Sequence, residues 1–111
     1  MGGRIASMIA DAEGVAGVVC MGYPFHPPRQ PDRLRIDHLK VMRTPTLICQ
    51  GERDPFGTRA EVSAMQLSPA VRLHWLPDGD HGFAPRRRSG TDAAANLREA
   101  AAAAAAFIRS L

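Results

Sequence analysis

Three short, β-rich apolar runs, at residues 15–23, 45–50 and 71–76, are separated and flanked by stretches of helical period. A continuous apolar run such as V-A-G-V-V-C-M-G-Y suits a strand covered on both faces, and strands alternating with helices point to a parallel sheet joined by helical crossovers. The order expected is helix, strand, short helix, strand, helix, strand, helix. The fold class is therefore α/β, with three parallel strands and flanking helices. With 111 residues, 45% of them hydrophobic, the chain has room for one globular domain built on one core.

The helical stretches have local signals of their own. Ile5, Met8 and Ile9 fall at helical spacing directly after Gly2 and Gly3, and Gly14 supplies a stop. No Ser, Thr, Asp or Asn precedes this helix to cap it, so further chain is expected upstream. Residues 24–31 hold four prolines in eight positions and must form a loop. Leu34, Ile36, Leu39 and Met42 suggest a short helix or turn leading to Thr44. Thr58 and Glu61 have capping-box spacing before Val62, Met65 and Leu67, which starts a helix at about Thr58 and lets Ser68-Pro69 close it. The last helix is expected over about 92–109, capped by Thr91 or Ser89, with Leu97, Ala101, Ala104, Ile108 and Leu111 on its inward stripe and Phe107 beside it. Its seven-alanine run has the highest helix propensity available.

Chemistry-bearing residues gather where strands end. Residues 73–83 read L-H-W-L-P-D-G-D-H-G-F: an alternating strand that breaks at Pro77 and delivers His81 into a glycine-flanked loop. In open α/β sheets ligands bind in the crevice outside the strands' C-terminal ends, which makes His81 the first candidate, against the plainer reading of a surface histidine. Asp54, in G-E-R-D-P-F-G, stands just past the second strand; it is either a partner for His81 or the start of an Asx turn. Asp78 and Asp80 are rival partners, less well placed because they share the histidine's own tight loop. Tyr23, Phe25 and His26 leave the first strand at the same end, as pocket lining or as plain loop packing.

The remaining composition excludes several classes. A net charge of +3, with much of the excess in Arg86, Arg87 and Arg88, is too mild for nucleic-acid binding. No apolar stretch is long enough for a membrane span, no signal segment is present, and a cytoplasmic location is expected. Cys20 and Cys49, each alone in an apolar run, read as buried reduced thiols rather than as a disulfide or a metal site.

Taken together, these residues resemble the C-terminal half of an α/β-hydrolase, of the compact kind similar to dienelactone hydrolases and small bacterial esterase-like proteins. M-G-G-R at the head of a helix looks like the end of a nucleophile elbow of the type G-x-S-M-G-G; G-E-R-D-P-F-G looks like the acid loop; G-D-H-G-F matches the histidine loop. The resemblance covers essentially the whole chain and implies a nucleophile-His-Asp triad acting on a small ester or related acyl substrate, with Asp54 and His81 as its acid and base, and with no metal or cofactor. It implies that Met1 and Gly2 are the remnant of the elbow and oxyanion hole. The nucleophile, serine or cysteine, is not among the 111 residues, since Met1 stands where the residue after it belongs. Ser7 lies two turns into the helix and is no substitute. On this reading the chain has little activity alone, because residual catalysis without a triad member rests on an oxyanion hole.

A different class of function is a non-catalytic module that pairs an exposed sheet edge with another chain, the first strand being an aggregation hazard if left open. A phosphate cradle at Gly2 and Gly3 is a third, weaker reading, for two glycines are not a P-loop.

Overall fold

The computed structural model describes residues 2–111. Along the chain come helix α1 (Gly2–Glu13), strand β1 (Val18–Met21), helix α2 (Asp37–Val41), strand β2 (Thr46–Gly51), helix α3 (Arg59–Ser63), strand β3 (Val71–Leu76), a single 3-10 turn (Arg87–Ser89) and helix α4 (Ala93–Arg109). The strands form one parallel sheet in the order β1-β2-β3. This is the α/β class expected from the alternation.

The register explains both the length of β1 and the alignment of the strand ends. Pairing runs from Val18 opposite Thr46 to Met21 opposite Cys49, and from Thr46 opposite Val71 to Gly51 opposite Leu76. Val18 N–H donates to the Pro45 carbonyl at 2.9 Å, and Pro45 has no N–H to carry the ladder further upstream. At the other end Gly22 turns into the left-handed region at φ +80°. The expected strand over 15–23 is thus cut to four residues. Loops after all three strands leave the same edge of the sheet.

Period-two alternation divides the core into two layers. Val18, Cys20, Ile48, Leu73 and Trp75 face the side where α1 contributes Ala10, α2 Leu39 and α3 Val62. Leu47, Cys49 and Leu76 face α4 through Ala100 and Phe107. Every residue of β2 is buried, and fully burying a side chain such as Ile48 contributes roughly 1.5–3 kcal/mol. Cys20 and Cys49 are buried thiols, and burial pushes both up to about 11.

Helix α1 runs to Glu13 and stops as expected at Gly14, which sits at φ +66° and whose N–H donates to the Ala10 carbonyl. Helices α3 and α4 depart from expectation. Helix α3 carries the expected capping box, with Thr58 and Glu61 each accepting from the other's backbone N–H, yet stops at Ser63; Met65 and Leu67 pack on the core from the following loop. In α4 the cap is Asp92, not Thr91 or Ser89, and its carboxylate accepts from Ala95 N–H at 2.7 Å. Its inward stripe is Asn96, Ala100, Ala104 and Phe107, while Leu97, Ile108 and Leu111 are more than half exposed. Alanines let the helix lie close to β2, and turning Asn96 inward supplies donors to two loop carbonyls. No helix among the described residues is long and apolar enough to cross a membrane.

Candidate active site

Each strand end contributes a wall to one site. After β2 the chain makes a tight turn in which Asp54 N–H donates to the Gly51 carbonyl at 3.1 Å and Gly57 N–H donates to the Asp54 carbonyl at 3.0 Å. Asp54 is fully buried, and its Oδ1 accepts from Phe56 N–H at 2.8 Å. That bond is the Asx turn which the Asp-Pro sequence suggests. It uses one carboxylate oxygen and leaves the other free to face outward.

The second oxygen meets His81. Asp54 Oδ2 lies 2.8 Å from His81 Nδ1, across 27 positions of sequence. Since a carboxylate can only accept, the bond places a proton on Nδ1 and leaves Nε2 as the nitrogen available to another partner. Among the described residues Nε2 has no hydrogen-bond partner, and the side chain is 46% exposed. Burial raises the Asp54 carboxyl above its ordinary value, against the opposing pull of the bonds from His81 and Phe56. A buried acid thus orients a half-exposed base.

The ring of His81 occupies a slot. On one side the Phe56 ring stands with its centroid 4.6 Å away and tilted by 43°. The Gly22 backbone is also against it, so close that a Cβ there would fall 3.2 Å from His81 Cε1 and 3.4 Å from Nδ1. Gly22 therefore meets two demands at once, a positive φ and a close approach.

The acid and histidine loops are zipped along their lengths. Arg53 N–H donates to the Gly79 carbonyl at 2.8 Å, and Glu52 Oε1 accepts from Asp78 N–H at 2.9 Å. Asp78 pairs with Arg53 at 3.2 Å and with Arg86 at 2.5 Å; the Arg86 guanidinium is the main reason its carboxyl is held down at about 2. Asp80 Oδ1 accepts from the backbone of Gly82 and Ala84. Both rivals of Asp54 are thereby committed to the loop's own frame. Asp78 at φ +54° and Phe83 at φ +69° hold left-handed backbone, which is costly for a bulky residue such as Phe83. Buried Asn96 braces this loop, donating to the Pro77 carbonyl at 3.0 Å and to the Phe83 carbonyl at 2.9 Å.

Tyr23, Phe25 and His26 sit behind this slot, and all three are buried. Tyr23 and Phe25 meet edge to face at 4.8 Å, and Tyr23 hydroxyl donates to the Arg35 carbonyl at 2.8 Å. His26 lies 2.7 Å from the Pro27 carbonyl through Nδ1 and 3.0 Å from Glu61 Oε1 through Nε2. None of the three presents its side chain to solvent. Gly2 begins α1, and Met1 lies outside the described residues. Ser7 is buried, donates to the Arg4 carbonyl at 2.8 Å and lies 2.8 Å from His38 Nε2, far from any role at His81.

Gln50 and Asn96 support parts of this site that the sequence did not single out. A polar residue ending an otherwise apolar strand, and an asparagine one turn inside an alanine-rich helix, were the available signals.

No solved structure matches the chain. A family model described as an alpha/beta hydrolase domain matches residues 1–109, nearly the full length over which the sheet, the acid loop and the histidine loop have just been described. The chain belongs to the α/β-hydrolase domain family.

Proposed function

We propose that this chain supplies the acid and base of a nucleophile-His-Asp triad that hydrolyses a small ester or related acyl compound. The observation that carries the reading is the 2.8 Å bond between fully buried Asp54 and the Nδ1 side of His81, with Nε2 left open. In such a triad Nε2 takes the proton of an attacking hydroxyl or thiol and returns it to the leaving group, while the aspartate holds the tautomer and stabilises the imidazolium. Membership of the α/β-hydrolase family supports hydrolase-type chemistry. Ser7 is engaged with Arg4 and His38, and Cys20 and Cys49 are buried in the sheet, so the nucleophile is supplied by none of these. The elbow resemblance puts the nucleophile immediately before Met1, and the compact, dienelactone-hydrolase-like or esterase-like subtype follows from the same resemblance.

The test is to extend the chain by whatever is encoded in frame upstream of Met1 and to assay short-chain acyl esters. Turnover that requires a G-x-S or G-x-C in the added segment and disappears in His81→Ala supports the reading. An extended chain that turns over no acyl ester, or does so equally well without His81, defeats it.

A second reading has its own support. Strand β1 stands at the sheet edge with Met21 51% exposed, which suits a chain that adds a partner's strand there. If the 111-residue protein elutes as a defined complex with itself or another chain and Met21→Lys disperses it, pairing rather than hydrolysis is its role.

A further inference from the structure

Gln50 is the last side chain of β2 before Gly51, and it is fully buried. It points to the α1–α3 face of the sheet, between two of the loops that build the slot. Its Oε1 accepts from Tyr23 N–H at 2.8 Å; its Nε2 donates to the Tyr23 carbonyl at 3.2 Å and to the Gly57 carbonyl at 3.1 Å. One amide therefore grips both backbone polar groups of Tyr23 and the closing residue of the acid loop. An amide has one acceptor oxygen and two N–H donors, and here each of the three has a partner in the loops.

Those two loops are the walls of the His81 slot. Tyr23 follows Gly22, whose backbone lies against the His81 ring, and the 54–57 turn that Gly57 closes carries Asp54 and Phe56. Contact between the loops is tight elsewhere as well: a Cβ on Gly57 would fall 2.6 Å from the Phe25 ring, and His26 N–H donates to the Phe56 carbonyl at 3.0 Å. These outer contacts fix how far apart the loops stand. Gly22 N–H also donates to the Cys49 carbonyl at 2.8 Å. Gln50, at the strand end between the loops, ties the Tyr23 peptide so placed to the closing residue of the 54–57 turn.

We propose that Gln50 is a positioning residue of the Asp54–His81 pair, setting the slot in which the imidazole is held with Nδ1 on Asp54 and Nε2 free. It does not touch the ring. It acts through the Gly22–Tyr23 peptide on one side and the Asp54–Gly57 turn on the other. The inference rests on the reading of Asp54 and His81 as acid and base, and its test reads their hydrogen bond directly rather than turnover.

The experiment is NMR on the 111-residue protein with ¹⁵N-labelled histidine, following the downfield Nδ1 proton of His81 and its exchange with water. The unmodified protein should show that proton, and its absence would count against the acid–base reading itself. Gln50→Met keeps length and apolar volume but makes none of the three bonds. It should leave the β-sheet amides protected while the His81 Nδ1 proton broadens away or exchanges at least tenfold faster. Gln50→Glu covers the case in which the methionine variant fails to fold. Protonated, the introduced carboxyl accepts from Tyr23 N–H and donates to one carbonyl; ionised, it faces two carbonyl oxygens. Measured against the unmodified protein at each pH, the His81 proton should match it at low pH and be lost relative to it as that carboxyl ionises. A folded Gln50→Met protein, or an ionised Gln50→Glu protein, whose His81 proton matches the unmodified one would overturn the assignment and leave Gln50 a structural filler.

Discussion

Gly51 lies against the backbone of Asp80 so closely that a methyl group on its Cα would stand 2.2 Å from the Asp80 carbonyl oxygen and 2.4 Å from that of Gly79. The contact joins the first residue after Gln50 to the residue before His81. Backbone oxygens cannot swing aside as a flexible side chain can, so Gly51→Ala must push the acid and histidine loops apart. Overpacking of this kind costs about 1–3 kcal/mol. The expected result is a lowered melting temperature together with loss of the His81 Nδ1 proton signal; an alanine variant with both intact would mean the loops are looser than this contact requires.

Asp54→Asn separates orientation from burial. Asparagine can still accept from Phe56 N–H, but its amide nitrogen would face His81 Nδ1 and favour the tautomer protonated at Nε2. Histidine ¹⁵N shifts should report that flip, and in a complete triad a wrong tautomer lowers turnover by about 10⁴-fold. Burial first, opposed by the His81 and Phe56 bonds, raises the native Asp54 carboxyl. A group raised in the folded state contributes stability at low pH and loses it as pH rises through the folded value. The asparagine variant should therefore melt no lower than the parent at pH 7, with any advantage shrinking as pH falls through the raised folded value and absent below about 4. A marked destabilisation at pH 7 would contradict this balance.

His26 provides a pH dependence of its own. Both ring nitrogens face acceptors, Pro27 carbonyl at 2.7 Å and Glu61 carboxylate at 3.0 Å, an arrangement satisfied only by the imidazolium. Burial pulls His26 down, but the Pro27 and Glu61 bonds, with the charges of Glu61 and Asp54, outweigh it and leave His26 above its ordinary value. Stability from this clamp is complete below about pH 6.5 and is lost as pH rises through the higher folded value. Melting curves at successive pH values should show that decline in the parent and its absence in His26→Gln. Identical profiles would show that the clamp does not titrate as described.

Asn96 is the brace of the histidine loop. Replacing it with alanine leaves the Pro77 and Phe83 carbonyls without their side-chain donor. An unsatisfied buried acceptor costs about 1–3 kcal/mol. Asn96→Ala should lower the denaturation midpoint by an amount in that range and raise amide exchange at Gly82 and Phe83 first. Exchange rising evenly over the whole chain would instead mark Asn96 as a general core residue.

Much of this arrangement was legible because it is written in local chemistry. The run over 71–76 alternates, and its two faces part into the two layers of the core. Thr58 and Glu61 form the capping box their spacing implies. Asp54 and His81 were legible as a pair because each follows a strand, and parallel strands send their following loops to one edge. What stayed hidden depends on contacts remote in sequence. The rotation of α4 is set by Asn96 meeting carbonyls 13 and 19 positions away, against a hydrophobic pattern in which Leu97, Ile108 and Leu111 mark a rival face. Tyr23, Phe25 and His26 look like rim residues of a proline-rich loop, but that loop folds back under α3 and buries them.

Asp54 and His81 both belong to a single βαβ unit, β2-α3-β3 with the loop that follows it, while Gly22, whose backbone lies against the His81 ring, comes from outside it. Closing a loop of 27 residues costs little more entropy than closing a shorter one, because the penalty grows only with the logarithm of length. That unit alone can therefore bring the two side chains near each other, while the Gly22 wall and the Gln50 bonds to Tyr23 require β1. Asp54 and His81 thus lie within one contiguous stretch, 27 positions apart, and a substitution that shifts β2 against β3 moves both partners of the bond at once.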